Sequence, residues 1–545
     1  MATSYAHGTS QYPLLGETIG ENLRKTTDQF PNREALVCVE PPYRATYAQM
    51  WEQIKTVAKS FLAMNVHKGD RVGIWASNRS EWVLVQYATA RIGAILVNIN
   101  PAYRSSELAY VLGQSGVSVL VSALSFRGND YRAMIEESRP LSADLREVIF
   151  LDKDWEQFLA LGENISNEEL SSRENELQFD DAINIQYTSG TTGFPKGATL
   201  SHHNILNNAY FIGRRLRYTE QDKVCIPVPF YHCFGMVIGN LCCTVFGACM
   251  VVPSESFDPK KVLKTVEQES CTSLYGVPTM FISELQDADF ENYNLKSLRT
   301  GVMAGSPCPV EVMKQVQSKM YMNEVSICYG MTETSPVSTQ TQISTPLEKQ
   351  VSTVGTVHDH LEIKIIDPQT GKICQRNQPG EFCTRGYSVM LGYWNNPKAT
   401  AEAIDAAGWM HTGDLATMDD DGYVNIVGRI KDLILRGGEN VYPREIEEFL
   451  YQHEAIEDVQ VIGVPSERYG EEIMAWVKLK AGQNTTSEEL QDFCKRQIAH
   501  YKVPKFWKMV DSFPMTVTGK IRKIEMREQA IKELGLEEVA KIKTS

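Results

Sequence analysis

Between Tyr187 and Gly197 the chain reads Tyr-Thr-Ser-Gly-Thr-Thr-Gly-Phe-Pro-Lys-Gly. Three glycines, four Ser/Thr hydroxyls and one lysine fall within eleven residues. The apolar run Ile183 to Tyr187 leads into it and predicts a buried strand. The glycines let the backbone turn and approach a ligand closely. Backbone N–H groups and hydroxyls offer donors, and Lys196 adds a mobile positive charge. That combination suits a polyphosphate. It is not a Walker A loop, which sets four residues between its first glycine and a Gly-Lys pair and then places Ser or Thr. Here Pro195 precedes Lys196 and Gly197 follows it. Ser201 is placed to cap a helix that begins at His202.

The remaining pattern agrees with layered α/β architecture. Helical spacing over Tyr47 to Met64 puts Met50, Trp51, Ile54, Val57, Ala58 and Phe61 on one side. Strand patterns at Arg71 to Trp75, Ala94 to Val97 and Val117 to Val121 alternate with a helical stretch at Trp82 to Ile92. Leu274-Tyr275 and Thr300 to Met303 repeat the alternation. From about residue 350 strands become short and turn-rich, at Glu362 to Ile366, Gly380 to Thr384 and Tyr423 to Ile426, which predicts a β-rich subdomain over about 350–428. The last hundred residues predict an α+β unit. Its helices run over Glu445 to Tyr451 and Ser487 to Ile498, the latter capped by Ser487, and its strands over Val459 to Val464 and Ala475 to Leu479. At 545 residues the chain exceeds one hydrophobic core. The expected division is 1–430 and 431–545, with the boundary at Lys431.

Charge and cysteine usage narrow the function. The formal net charge of −14 argues against non-specific nucleic-acid binding. The twelve cysteines contain no C-x-x-C pair, so neither zinc-site spacing nor a compact disulfide framework is present, and buried free thiols are expected. Met1 to Glu17 carries no basic residue and no long apolar run, as neither a signal nor a transit peptide would; the C-terminus is not Ser-Lys-Leu. The chargeless stretch Cys225 to Ser254 approaches membrane-span length, but Gly235, Gly239 and Gly247 interrupt it. A buried helix and then a buried strand, Ala248 to Val252, are expected there, with no integral span. The expected compartment is the cytoplasm or the mitochondrial matrix, and monomer and homodimer both stay open.

Further segments carry chemistry. In Tyr329-Gly330-Met331-Thr332-Glu333-Thr334 a carboxylate sits beside a turn glycine, where it could hold Mg²⁺ through oxygen or simply cap a turn. Ala304-Gly305-Ser306-Pro307 follows a strand. Trp409 to Asp414 and Gly428-Arg429 supply an acceptor carboxylate and a guanidinium, which could bind a sugar or pair with each other. Gly437-Gly438-Glu439-Asn440 permits close backbone approach, and Lys520 stands after Gly519 in Pro514 to Ile521.

Together, in their order along the chain and over Thr18 to Arg527, these motifs resemble the acyl-adenylate-forming (ANL) superfamily, closest to medium-chain fatty-acid acyl-CoA synthetases. The resemblance implies ATP, Mg²⁺ and coenzyme A, and a small carboxylic acid as partner. It implies that Thr188, Ser189, Gly190, Thr191, Thr192, Gly193 and Lys196 hold the β- and γ-phosphates. It gives Gly305 and Ser306, with Tyr329 and Gly330, to the nucleotide, and Thr332 to the α-phosphate. Glu333 would bind the metal, and Asp414 and Arg429 the ribose. Lys431 would be the hinge of a rotating C-terminal domain, Gly437 and Gly438 would line the pantetheine tunnel, and Lys520 would bridge acyl carboxylate and α-phosphate in adenylation. His232, in Val228 to Met236, joins the catalytic set as a pocket-wall residue rather than a general base. Gly235, Met236 and Gly239 imply an open apolar channel for a fatty acid. Met236 stands where some long-chain relatives carry a tryptophan gate. The alternatives within the fold are an aryl-CoA ligase of the coumarate type and a stand-alone carrier-protein adenylating enzyme; from another class, a non-catalytic nucleotide-binding protein.

Overall fold

The computed structural model describes residues 2–188, 195–306, 308–437, 439–495, 497–516 and 521–540. The chain divides into two compact units. The larger comprises Tyr5–Ile363 and Cys383–His411, and the smaller Met1–Ser4, Lys364–Phe382 and Thr412–Ser545.

The larger unit is α/β, as the alternation predicts. Its seven-stranded sheet runs in the order Gly392–Tyr393, Lys196–Ser201, Ala182–Thr188, Ile95–Asn98, Arg71–Trp75, Val117–Ser122, Glu147–Phe150. The last five are parallel, and Lys196–Ser201 returns antiparallel beside Ala182–Thr188. A nine-stranded sheet contains a parallel run of Glu324–Gly330, Thr300–Ala304, Ser273–Gly276, Lys223–Cys225, Cys249–Val252 and Glu34–Cys38. Parallel strands need crossovers, and helices supply them.

Local chemistry starts these helices. Thr46 and Gln49 form a reciprocal capping box for Tyr47–Ala63, and Met50, Ile54, Val57, Ala58 and Phe61 are buried on its core face. Helix Ser80–Ile92 is buried almost all round and ends at Gly93, whose left-handed φ of 71° closes it. Ser201 caps His202–Arg215 as expected. The chargeless stretch folds as a buried π-helical segment, Phe234–Leu241, an α-turn Cys242–Phe246 and the buried strand Cys249–Val252. Among the described residues no helix is long and apolar enough to cross a membrane. All twelve cysteines are buried, and none of them forms a disulfide.

The smaller unit holds the hairpin of Met410–Met418 with Val424–Arg429, in which residues 412–429 belong to this unit. It also holds the long hairpin of Ile456–Ser466 with Gly470–Leu479, joined in parallel by Phe506–Met509. Helix Pro443–Leu450 buries Ile446 and Leu450 in a core with Val459, Val461, Ile473, Ala475 and Val477. One cap differs from expectation. Helix Ser487–Lys495 is capped by Thr486, whose hydroxyl accepts from Glu489 N–H while Glu489 accepts from Thr486 N–H. The Thr-x-x-Glu spacing satisfies both donors at once, which a Ser487 cap would not.

Candidate active site

Thr188 ends its strand and pairs in register with Lys196 at the start of the next. Ser189, Gly190, Thr191, Thr192 and Gly193 lie outside the described residues. The flanks of the loop are tied down by helix Ser105–Ser115. Tyr110 OH donates to Pro195 O at 3.1 Å, and Gln114, one turn on, accepts from Tyr187 OH and donates to Trp394 O at 2.8 Å. Trp394 N–H in turn donates to Gly197 O at 2.7 Å.

Glu333 sits in the single turn Thr332–Thr334 that follows strand Glu324–Gly330. Gly330 turns the chain there: a Cβ would lie 1.7 Å from Pro336 O, so no other residue fits. The Glu333 carboxylate is only 4% exposed. Its Oε1 accepts from Thr188 Oγ1 at 3.1 Å and from Tyr393 OH at 2.8 Å. Among the described residues no cation pairs with it. Two neutral donors leave most of a buried negative charge uncompensated, and a carboxylate so placed fits a hard divalent cation. Burial and the adjacent Glu333 carboxylate push the Tyr393 phenol well above its ordinary pKa, so it remains a donor. The Lys196 ammonium lies 5.1 Å from the Tyr393 ring centroid and has no carboxylate partner among the described residues.

Helix His202–Arg215 positions this constellation. Asn208 Nδ2 donates to Val337 O at 2.8 Å and its Oδ1 accepts from Val337 N–H at 3.0 Å. Val337 pairs with Gly330, so this clamp fixes the hairpin that carries Glu333. One turn earlier, Asn204 Nδ2 donates to Val389 O at 3.2 Å, and Met390 N–H donates to Glu333 O at 2.9 Å.

Gly305 and Ser306 leave strand Thr300–Ala304 at the end where Tyr329 and Gly330 finish the neighbouring strand, since Ala304 pairs in parallel register with Cys328. Gly305 has φ 93°, a left-handed conformation suited to glycine. Thr332 is buried beside Glu333. All lie at the carboxyl ends of parallel strands, where open α/β sheets bind ligands.

The His232 segment joins both sheets. Asn78 donates to Val228 O and accepts from Phe230 N–H, at 2.9 and 2.8 Å, and Asn98 Nδ2 donates to Tyr231 O at 3.1 Å. His232 Nδ1 accepts from Phe234 N–H at 3.1 Å, which assigns the proton of a neutral ring to Nε2. The expectation that Gly235 and Gly239 open a channel is corrected here. A Cβ on Gly235 would lie 2.3 Å from Pro229 O, and one on Gly239 would lie 3.0 Å from Ile226 Cγ2. Both glycines permit tight helix packing. Met236 is likewise buried, its sulfur facing Asn98 Nδ2 at 3.5 Å and Gln186 Nε2 at 3.8 Å.

In the smaller unit Asp414 and Arg429 face each other across the hairpin register, with Oδ1 3.2 Å from Nε. The carboxylate side chain is 15% exposed and the guanidinium 64%, so the pair is an open rim contact. Lys431 is exposed in the turn Ile430–Asp432. Gly437 N–H donates to Tyr469 O at 2.8 Å. Gly438 and Lys520 lie outside the described residues. Sequence reasoning missed Tyr393, Asn208, Tyr110 and Gln114, because none stands in a glycine-rich or charged pattern.

Comparison with known proteins decides the family. The model of the AMP-binding enzyme family matches residues 23–394, and that of the AMP-binding enzyme C-terminal domain matches residues 445–520. The chain belongs to the AMP-binding enzymes. It is 48% identical over 543 residues to the putative acyl-CoA synthetase YngI of Bacillus subtilis, covering 96% of this chain and 99% of the relative. It is 42% identical to the mitochondrial medium-chain acyl-CoA ligase ACSF2 of Danio rerio, covering 98% of this chain and 92% of that one. Its fold matches ATP-bound MatB from Rhodopseudomonas palustris with a TM-score of 0.81 and 26% identity, over 95% of this chain and all of the other. The fold is therefore that of the adenylate-forming enzymes, and the chain is an AMP-forming acid–thiol ligase.

Proposed function

We propose that this protein is an ATP-dependent ligase joining a medium-chain fatty acid to coenzyme A. The observation that carries the substrate is its similarity, across nearly the whole chain, to the medium-chain ligase of Danio rerio. In this reading a carboxylate oxygen of the acid attacks the α-phosphorus of ATP; the acyl–phosphate bond forms, the α–β bridge breaks and pyrophosphate leaves. The thiol of CoA then attacks the acyl carbon, the bond to AMP breaks, and the thioester forms.

The roles fall to this chain's residues as follows. Thr188 to Gly193 and Lys196 cradle the β- and γ-phosphates, while Gly305, Ser306, Tyr329 and Gly330 border the adenine. Thr332 faces the α-phosphate, Asp414 and Arg429 hold the ribose, and His232 walls the acyl site. Glu333 holds Mg²⁺, which when bound supplies positive charge against the phosphates. Lys520 stabilises the charge developing at the α-phosphate. Lys431 is the hinge between residues 1–430 and 431–545, and rotation about it exchanges Lys520 for Gly437 and Gly438, which admit pantetheine.

Measuring kcat/KM over straight-chain acids tests the reading. Each buried methylene adds up to about 0.8 kcal/mol, near fourfold, until the pocket is full. The value should rise from about C4 and level off beyond roughly C10 to C12. Preference for cinnamates, or transfer to a carrier protein in place of CoA, would overturn it.

A further inference from the structure

We propose that Tyr393 is a positioning residue that sets both Glu333 and Lys196 for Mg²⁺-ATP, an inference that rests on the function proposed above. Tyr393 lies about sixty residues beyond Glu333 and about two hundred beyond the phosphate loop, yet it touches both. Its hydroxyl donates to Glu333 Oε1 at 2.8 Å, and its ring face lies 5.1 Å from the Lys196 ammonium.

The two hydroxyls on Glu333 are not equivalent. Thr188 Oγ1 lies within reach of two acceptors, Glu333 Oε1 at 3.1 Å and Lys196 O at 3.4 Å. Its single proton can serve only one at a time, and it stands at the mouth of the phosphate loop, where a phosphate oxygen offers a third acceptor. Tyr393 OH has no acceptor other than Glu333 among the described residues. When Thr188 turns to a phosphate, Tyr393 keeps the carboxylate aimed.

Its own placement is over-determined. Strand Gly392–Tyr393 pairs with Lys196–Ser201 through Ala198 and Thr199. Tyr393 N–H donates to Thr400 Oγ1 at 2.9 Å, and Asn396 caps the helix Pro397–Ala403 that carries Thr400. Gly392 has φ 145°, and a Cβ there would lie 2.9 Å from Thr400 Cγ2. The ring is held by pairing that also holds Lys196, so the lysine and the carboxylate are set by one side chain. A hydrogen bond to a charged group is among the strong ones, and the ring face adds a weaker cation–π attraction for the ammonium.

The test separates the two contacts by calorimetric Kd values for ATP, measured with Mg²⁺ and with EDTA. Tyr393→Phe keeps the ring and loses the hydroxyl. It should weaken Mg²⁺-ATP binding roughly tenfold and leave metal-free ATP binding within about twofold. Tyr393→Leu should add roughly a threefold loss in metal-free ATP binding. In a Glu333→Gln background, Tyr393→Phe should change neither value further. Equal weakening of both values in Tyr393→Phe would mark a merely structural role and overturn the proposal. An unchanged Mg²⁺-ATP value would also overturn it, as would a full additional loss in the Glu333→Gln background. If the parent protein binds ATP equally with and without Mg²⁺, the assignment of Glu333 to the metal is what fails, and the proposal falls with it.

Discussion

Replacing Asn208 by leucine should damage both the stability of the larger unit and its affinity for Mg²⁺-ATP. Asn208 is wholly buried and makes a two-point clamp on Val337, at 2.8 and 3.0 Å. Leucine is close in volume but leaves the Val337 N–H and C=O without these partners. Unsatisfied buried groups cost about 1–3 kcal/mol each. Part returns through the buried leucine, so a net loss of about 3 kcal/mol is expected. Because Val337 pairs with Gly330 at the base of the Glu333 hairpin, the freed strand end should also let the carboxylate drift from Thr188 and Tyr393. Asn207→Leu is the comparison. Asn207 is equally buried and holds Leu15 through a similar pair of bonds, but Leu15 lies outside the Glu333 hairpin. Urea unfolding followed by tryptophan fluorescence, with calorimetric titration of Mg²⁺-ATP, reads both effects. Asn208→Leu should lower the unfolding midpoint and weaken Mg²⁺-ATP at least fivefold, whereas Asn207→Leu should lower the midpoint alone. An Asn208→Leu protein as stable as the parent would refute the clamp. One that is destabilised yet binds Mg²⁺-ATP as the parent does would refute its link to Glu333.

Gly235→Ala should cost about 1–3 kcal/mol or more in stability with little change in acyl-length preference, because its Cβ would press on the Pro229 carbonyl at 2.3 Å; a shift toward shorter acids at parental stability would show that Gly235 faces the acyl site after all. Stability should also fall below neutral pH. Burial lowers the His202 pKa from 6.5 to about 4 and pushes His358 down as well, with Arg215 adding to the latter. Both rings are thus folded neutral: their contribution is intact above about pH 6.5 and is lost as the unfolded state takes up protons that the folded state refuses. For His202 the loss approaches about 3 kcal/mol by pH 4, and His202→Asn, which keeps an acceptor for the Ile19 N–H, should flatten the slope in urea midpoints between pH 7 and pH 4.5.

The layered α/β fold was legible because its evidence is local. Strand Ala182–Thr188 carries its apolar run, and helix Tyr47–Ala63 its period and its cap, within a few residues. Thr486 in place of Ser487 as a cap is a one-residue error of the kind that local signals leave, since both residues bear hydroxyls and only the distance to Glu489 separates them. The place of Glu333 in a strand-end turn was legible too, because Gly330 marks that turn. Gly235 and Gly239 were read the wrong way round for a physical reason. A glycine in a helix reports that something comes close, but the sequence does not say whether that neighbour is a ligand or the chain's own backbone, here Pro229. Tyr393 and Asn208 left no local trace at all. A tyrosine after a glycine and an asparagine inside a helix are each unremarkable, and what gives them a part is sheet register: Ala198 opposite Tyr393 and Gly330 opposite Val337. Motifs name the groups that meet a ligand, whereas the groups that aim those groups are chosen by long-range pairing. That is why the carboxylate can be picked out of this chain by eye while the two side chains that hold it in place require the fold.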